Sequence, residues 1–235
     1  NDTIVNSGGE QHILFGGVTN TTVLSGDNNY NSAAQYISSG GVTNNTVINI
    51  YGCQYVSTGG IANDTIINSS GKFSVHGFAS NTVVKSGGYM TVYSGGTALN
   101  VDWTPCEGGL VVNDGAYVTY ASSYSGVYLG DVTSLGSHTD SMTDKWISGN
   151  YYRRESMYVM NGGVVDSTTV YGGVMYVSSG GIANSTEIRD SGYMYIYNGG
   201  IHKGILSAAN NSSTIVFAYE GSIIDFTVSG RTILN

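Results

Sequence analysis

The sequence predicts an all-β fold, a parallel β-helix (β-solenoid) of about ten to twelve rungs. Three observations carry this. A degenerate repeat of about nineteen residues recurs along the chain. Thirty-five glycines stand against a single proline in 235 residues, and only 10% of residues are charged. Thr, Val, Ile, Tyr, Asn and Gly dominate where a helical domain would show runs of Ala, Leu, Glu and Lys, which favours short strands joined by tight turns. The organisation expected is one solenoid over 1–235, a fragment of a longer protein, with regular repeats over 1–101. An irregular insertion covers 102–160, its excursion near 121–155, and the repeats resume over 161–235.

The unit reads Gly-Gly-(Ile/Val)-x-Asn-x-Thr-(Val/Ile)-(Val/Ile), a few polar or Gly residues, a second run such as Tyr-Met-x-Val-Tyr, then Ser-Gly-Gly. Its Thr-like position falls at Thr3, Thr22, Thr46, Thr65, Thr82, Val101, Thr168, Thr186, Ile205 and Thr227. Each unit is two short strands that bury an apolar face only when stacked on neighbours. Because alternate residues of a strand share a face, the core columns of the first strand are read as Val18, Val42, Ile61, Phe78, Val164, Ile182, Ile201 and Ile223, four residues before the Thr, and as Val5, Leu24, Ile48, Ile67, Val84, Val170 and Ile188, two after it. The residue between, Val23, Val47, Ile66, Val83, Thr169 or Glu187, is expected outside or half covered. In the second strand the core column is Ile13, Val56, Val75, Val92, Val118, Val177 and Ile196, with Met90, Met175 and Met194 on the same parity. Gly-Gly pairs supply the positive φ of the corners. The recurrent Asn20, Asn44, Asn63 and Asn184 either stack as a ladder of amides or hold a left-handed turn.

Charge and composition exclude several function classes. A net charge of −8 with only eight scattered Lys and Arg argues against nucleic acid or an anionic membrane face as partner. No apolar run approaches the roughly twenty residues that span a bilayer. The densest carboxylates, Asp131, Asp140, Asp144 and Glu155, fall in the irregular segment without a catalytic pattern, so no enzyme is expected. His12, His76, His138 and His202 lie far apart and neither cysteine joins them at a ligand spacing, so neither metal nor cofactor is expected. Cys53 and Cys106 would invite a disulfide in an oxidising compartment. The register, however, puts them near three rungs or about 14 Å apart, whereas a bridge needs Cα atoms within about 7 Å.

The outward columns of the second strand carry Tyr55, Tyr93, Tyr176, Tyr195 and Tyr197 among Ser, Thr and His. A tyrosine offers a flat apolar face and a hydrogen-bonding tip, suited to sugars or another protein; stacking of these rings on one another, with no ligand, is the alternative. A second candidate surface is the 121–155 excursion, with Trp103, Trp146, Tyr151, Tyr152, Arg153 and Arg154 as its contacts.

Stretches such as Ser39-Gly40-Gly41-Val42-Thr43-Asn44-Asn45-Thr46-Val47-Ile48 and Ser179-Gly180-Gly181-Ile182-Ala183-Asn184-Ser185-Thr186 resemble the strand-loop-strand repeats in the passenger regions of AIDA-type autotransporter adhesins. The likeness covers residues 1–101 and 161–206, and the last thirty residues fit more loosely. The resemblance implies a right-handed parallel β-helix and secretion to the bacterial outer cell surface. The roles it implies are self-association, biofilm formation and host attachment, with the chain itself or a host cell-surface glycan or protein as partner. It also implies a glycosyltransferase acting on Ser and Thr. A carbohydrate- or receptor-binding module using the excursion is the alternative reading, and a polysaccharide-active β-helix enzyme the weakest.

Overall fold

The computed structural model describes residues 2–27, 31–131, 134–148, 154–208 and 215–229. Among these there is no helix. The chain divides into two compact units, Asn1–Ser123 and Tyr124–Asn235.

In the first unit two parallel sheets enclose the core. One is built from the first strands of the repeat, among them Asp2–Asn6, Thr21–Ser25, Val42–Ile48, Ile61–Ile67, Thr97–Trp103 and Tyr117–Tyr120. The other takes the second strands, Glu10–Ile13, Ala33–Ile37, Gly52–Val56, Lys72–Val75, Tyr89–Val92 and Gly109–Val112. The Thr column is in register as expected, Thr3 beside Thr22, Thr22 beside Thr46 and Thr46 beside Thr65.

The corner doublets show why two glycines recur. Gly59 takes φ +81°, and the following amide of Gly60 closes the turn by donating to the Ser57 carbonyl at 2.8 Å. A Cβ on Gly60 would lie 2.8 Å from the Ile37 carbonyl oxygen of the preceding rung. The first glycine is therefore needed for its dihedral, the second for the close approach of the stacked chain.

One expected core column is wrong. Val18, Ile61 and Ile223 are exposed and Val42, Phe78, Val164, Ile182 and Ile201 are half covered. The buried column is the next residue along: Thr43, Ala62, Ala79, Ala98, Val165, Ala183 and His202 are all 0% exposed. Strict alternation fails because the residue before the Thr is left-handed, with φ between 52° and 57° at Asn45, Asp64, Asn81, Asn100, Ser167 and Ser185. That single residue interrupts the alternation within the strand and flips the parity of everything before it. The other columns hold: Leu24, Ile48, Ile67, Val170 and Ile188 are fully buried, as are Val75, Val92, Val177 and Ile196. Val118 is the exception, since it stands beside Ala98 in the first-strand sheet; Val112 takes the place beside Val92.

The second unit repeats the plan. Ser156–Val159, Val174–Val177, Tyr193–Ile196 and Ile215–Ala218 run parallel in one sheet. Val164–Tyr171, Ile182–Arg189, Ile201–Ala208 and Ile223–Ser229 run parallel in the other. The irregular insertion is smaller than the sequence suggested. Gly109–Val112 and Tyr117–Tyr120 are ordinary strands of the first unit. Ser141–Thr143 and Trp146–Ser148 are a rung of the second, Ser141 beside Val164 and Trp146 beside Thr169. What departs from the coil is an antiparallel pair, Val127–Asp131 with Ser134–Thr139, added to the edge of Ser156–Val159. A bulge in Ile201–Ala208 corrects one further position: Leu206, not Ile205, stands beside Thr186. Two residues, Gly204 and Ile205, oppose the single Ser185 there, and Gly204 takes the φ of +77° that such a bulge requires.

Candidate functional site

The outward side chains of the second strands form columns of stacked rings. In the first unit His12, Tyr36 and Tyr55 stack at centroid separations of 4.9 and 5.1 Å, and His76 lies on Tyr93 at 4.1 Å. In the second, Tyr158, Tyr176, Tyr195 and Phe217 stack at 4.5, 5.2 and 4.8 Å with nearly parallel planes, and beside them Tyr197 and Tyr219 lie 5.0 Å from each other. Parallel in-register strands bring equivalent residues about 4.8 Å apart, a ring-stacking distance, so the columns follow directly from the repeat.

This geometry decides what the columns can offer. A ring inside a column has both faces covered by its neighbours, so it presents an edge and a hydroxyl rather than the flat face expected from the sequence. Burial raises the Tyr55 hydroxyl to about 12, with the neighbouring Cys53 adding to the effect, and burial also raises Tyr195. Both phenols stay neutral at physiological pH and can donate.

Corner amides line the edges of the first unit. Asn44 Nδ2 donates to Asn20 Oδ1 at 3.3 Å, Asn63 Nδ2 to Asn44 Oδ1 at 3.0 Å, and Ser80 Oγ to Asn63 Oδ1 at 2.8 Å. Asn20, Asn44 and Asn63 therefore form the ladder, and after Asn44, Asn63 and Asn184 the left-handed turn falls on the next residue.

An interior network escaped the sequence reading. Gln35 and Gln54 are fully buried. Gln54 Nε2 donates to Gln35 Oε1 and Gln35 Nε2 to Gln11 Oε1, each at 2.7 Å. Thr22, Thr46 and Thr65 complete the network through their hydroxyls. The next rungs replace Gln54 by Phe73, Met90 and Leu110, and the second unit puts Met157, Met175 and Met194 on one another in its own core. There Thr168 and Thr186 are buried without a hydrogen-bond partner, as are both ring nitrogens of His202. Burial lowers His202 to about 4.

The other candidate contacts separate. Trp103 is buried, with its indole N–H donating to the Gly108 carbonyl at 2.8 Å. It stands beside Val84 in the core column two residues after the Thr position, which corrects its assignment as a contact. Trp146 is 61% exposed and tilted over Tyr171 at 6.3 Å. The Arg154 guanidinium lies 5.1 Å above the Tyr193 ring. Tyr151, Tyr152 and Arg153 lie outside the described residues. Glu155 Oε2 accepts from the backbone N–H and hydroxyl of Ser148 at 2.9 and 3.1 Å, which ties two chain segments together. Among the described residues no three His, Cys, Asp or Glu side chains are placed to hold a metal ion. Cys53 and Cys106 are both buried.

A family model described as the adhesin of the bacterial autotransporter system, probable stalk, matches residues 25–88. This segment matches the autotransporter-adhesin stalk family. It contains the Tyr36–Tyr55 stack, the Asn44–Asn63 amides and the buried Gln35 and Gln54. Among solved structures, a crystal structure of a TibC-catalysed, hyper-glycosylated TibA fragment is similar over 97% of this chain and 84% of that one, at 29% identity and a TM-score of 0.42. No curated protein matches the chain significantly.

Proposed function

We propose that the chain is part of the passenger of a bacterial surface adhesin, secreted and displayed outside the cell. It acts by binding rather than by catalysis, in self-association, biofilm formation or attachment to a host. The observation that carries this is the set of outward ring columns, above all Tyr158, Tyr176, Tyr195 and Phe217. Tyr158 is buried and Phe217 carries no hydroxyl, so the half-covered Tyr176 and Tyr195 supply the phenol hydroxyls of this column; repeating at the rung spacing, they can bond in parallel to a second copy, so that weak contacts add to a strong one. The stalk-family match over residues 25–88 supports the same reading.

The test displays the chain on a non-clumping bacterium and compares it with a Tyr176→Thr, Tyr195→Thr variant. Ser74 and Thr91 already occupy the column of Tyr36 and Tyr55 in the first unit, so threonine suits the site. Loss of clumping at equal display supports the columns; unchanged clumping removes them from the account.

The exposed turn hydroxyls of Ser39, Thr58, Ser69, Ser94 and Ser179 are the proposed acceptors for a glycosyltransferase. The intact mass of protein from its native host, against the same chain made without that host's transferases, tests this: sugar-sized increments support modification, and equal masses refute it. A carbohydrate- or receptor-binding role for part of the 121–155 segment is a second reading, favoured by the exposure of Trp146.

A further inference from the structure

The columns described above cover the faces of their own rings, which directs attention to aromatic groups at the open edge of a sheet. In the second unit Trp146–Ser148 pairs only with Val164–Tyr171 among the described strands, so among the described residues no strand of that sheet lies beyond Trp146. The indole rests on Tyr171 on one side and leaves most of its surface in solvent. Tyr171 is itself 41% exposed, and its hydroxyl hydrogen-bonds Asp190. One rung further, in the columns of Trp146 and Tyr171, stand Glu187 and Arg189, joined by an ion pair at 2.6 Å between Glu187 Oε1 and an Arg189 terminal nitrogen.

We propose that this surface is a recognition subsite for a neutral pyranose glycan. The proposal deepens the carbohydrate-binding reading above and rests on it. Trp146 supplies an apolar plate for the C–H face of a sugar ring. Asp190 and Glu187 supply carboxylate acceptors and Arg189 a fork of donors, the pairing needed for adjacent hydroxyls that both donate and accept. Two rungs separate Trp146 from Glu187, about 10 Å at the usual strand spacing, a span suited to a short oligosaccharide lying along the stacking direction. Two carboxylates against one guanidinium, in a chain of net charge −8, disfavour sialylated or sulfated glycans.

The chain has two tryptophans, and they make the test internally controlled. Their indole N–H resonances are followed by NMR while lactose, maltose or cellobiose is added, with sialyllactose as the anionic comparison. The proposal expects at least one neutral disaccharide to shift Trp146 saturably while Trp103, buried and bonded to Gly108, stays still. Tyr171→Ala should weaken that titration about tenfold, the loss of one aromatic contact with its area, and Asp190→Asn should weaken it in the same direction. An unmoved Trp103 resonance certifies the fold of the first unit, and retained resonance dispersion in Val174–Val177 certifies the second. No saturable shift with any neutral sugar, an equal response to sialyllactose, or indifference to both variants overturns the proposal. The titration reads the subsite alone, whereas clumping of displayed cells reads the adhesive function, so either can fail while the other stands.

Discussion

Replacing Gln35 by methionine puts at its rung the side chain that the same column carries at Met90 and that the second unit uses at Met175 and Met194. The magnitude follows from the bonds of one amide. Gln35 Nε2 donates to Gln11 Oε1 at 2.7 Å and shares Thr22 Oγ1 at 3.1 Å, while Gln35 Oε1 receives Gln54 Nε2 at 2.7 Å and Thr46 Oγ1 at 3.4 Å. Four bonds, three buried and the one to Gln11 part-buried, at about 1 kcal/mol each, offset by the gain of about 2 kcal/mol from burying a thioether chain, leave a net loss of about 2 kcal/mol. The triple replacement of Gln11, Gln35 and Gln54 by Met should cost little more than the single one, because no amide is then left half satisfied. The threonines would be left as Thr82, Thr168 and Thr186 already are, buried without partners. Urea unfolding followed by Trp103 fluorescence in a Trp146→Phe background reads the first unit alone. A single variant as stable as the parent, or a triple costing three times the single, would refute the reasoning.

Two further outcomes are expected. His202 is neutral and fully buried, with its pKa lowered by burial from 6.5 to about 4. The unfolded chain therefore takes up the proton first, and the stabilisation is complete above pH 6.5 and lost as pH falls towards 4. The second unit should lose about 3 kcal/mol from this group between pH 7 and pH 4, and His202→Val, which copies Val165 of the same column, should flatten that difference in parallel denaturant titrations; identical pH profiles would contradict it. Gly60→Ala, whose Cβ would meet the Ile37 carbonyl oxygen at 2.8 Å, should cost about 3 kcal/mol, whereas Gly8→Ala, at φ +73° with nothing within 4 Å, should cost about 1 kcal/mol from its dihedral alone. Equal thermal shifts for the two would show that the close approach of rungs does not govern the doublet.

The solenoid was legible because stacking forces equivalent residues into columns, and columns are visible as a repeat. The parity of the first half of each long strand was not, because a left-handed Asn, Asp or Ser before the Thr leaves no mark in a binary apolar pattern; the column of Thr43, Ala62, Ala79 and Ala98 looks too small and too polar to be core. The rung holding Trp146 was hidden by substitution. Ser141-Met142-Thr143-Asp144-Lys145-Trp146-Ile147 follows the repeat with Asp144 at the left-handed position, φ 51°, and Lys145 in place of the Thr. The burial of Trp103 could have been read from its place two residues after Val101, the position of Leu24 and Ile48. Tyr36 was missed because the longer connection between Ser25 and Ala33 shifts the spacing of that rung. The glutamines stand where Met90 and Met175 stand, and a polar residue recurring at an inward position was the available signal for the network.

Of the proposed roles, self-association through the outward ring columns is the one that the fold bears on most directly. The most direct measurement mixes two labelled populations of one bacterium, only one of which displays the chain, and scores the composition of the aggregates by microscopy. The account predicts aggregates made of displaying cells with the bare cells left dispersed. Aggregates that take up bare cells in proportion, or displaying cells that stay dispersed, would contradict it.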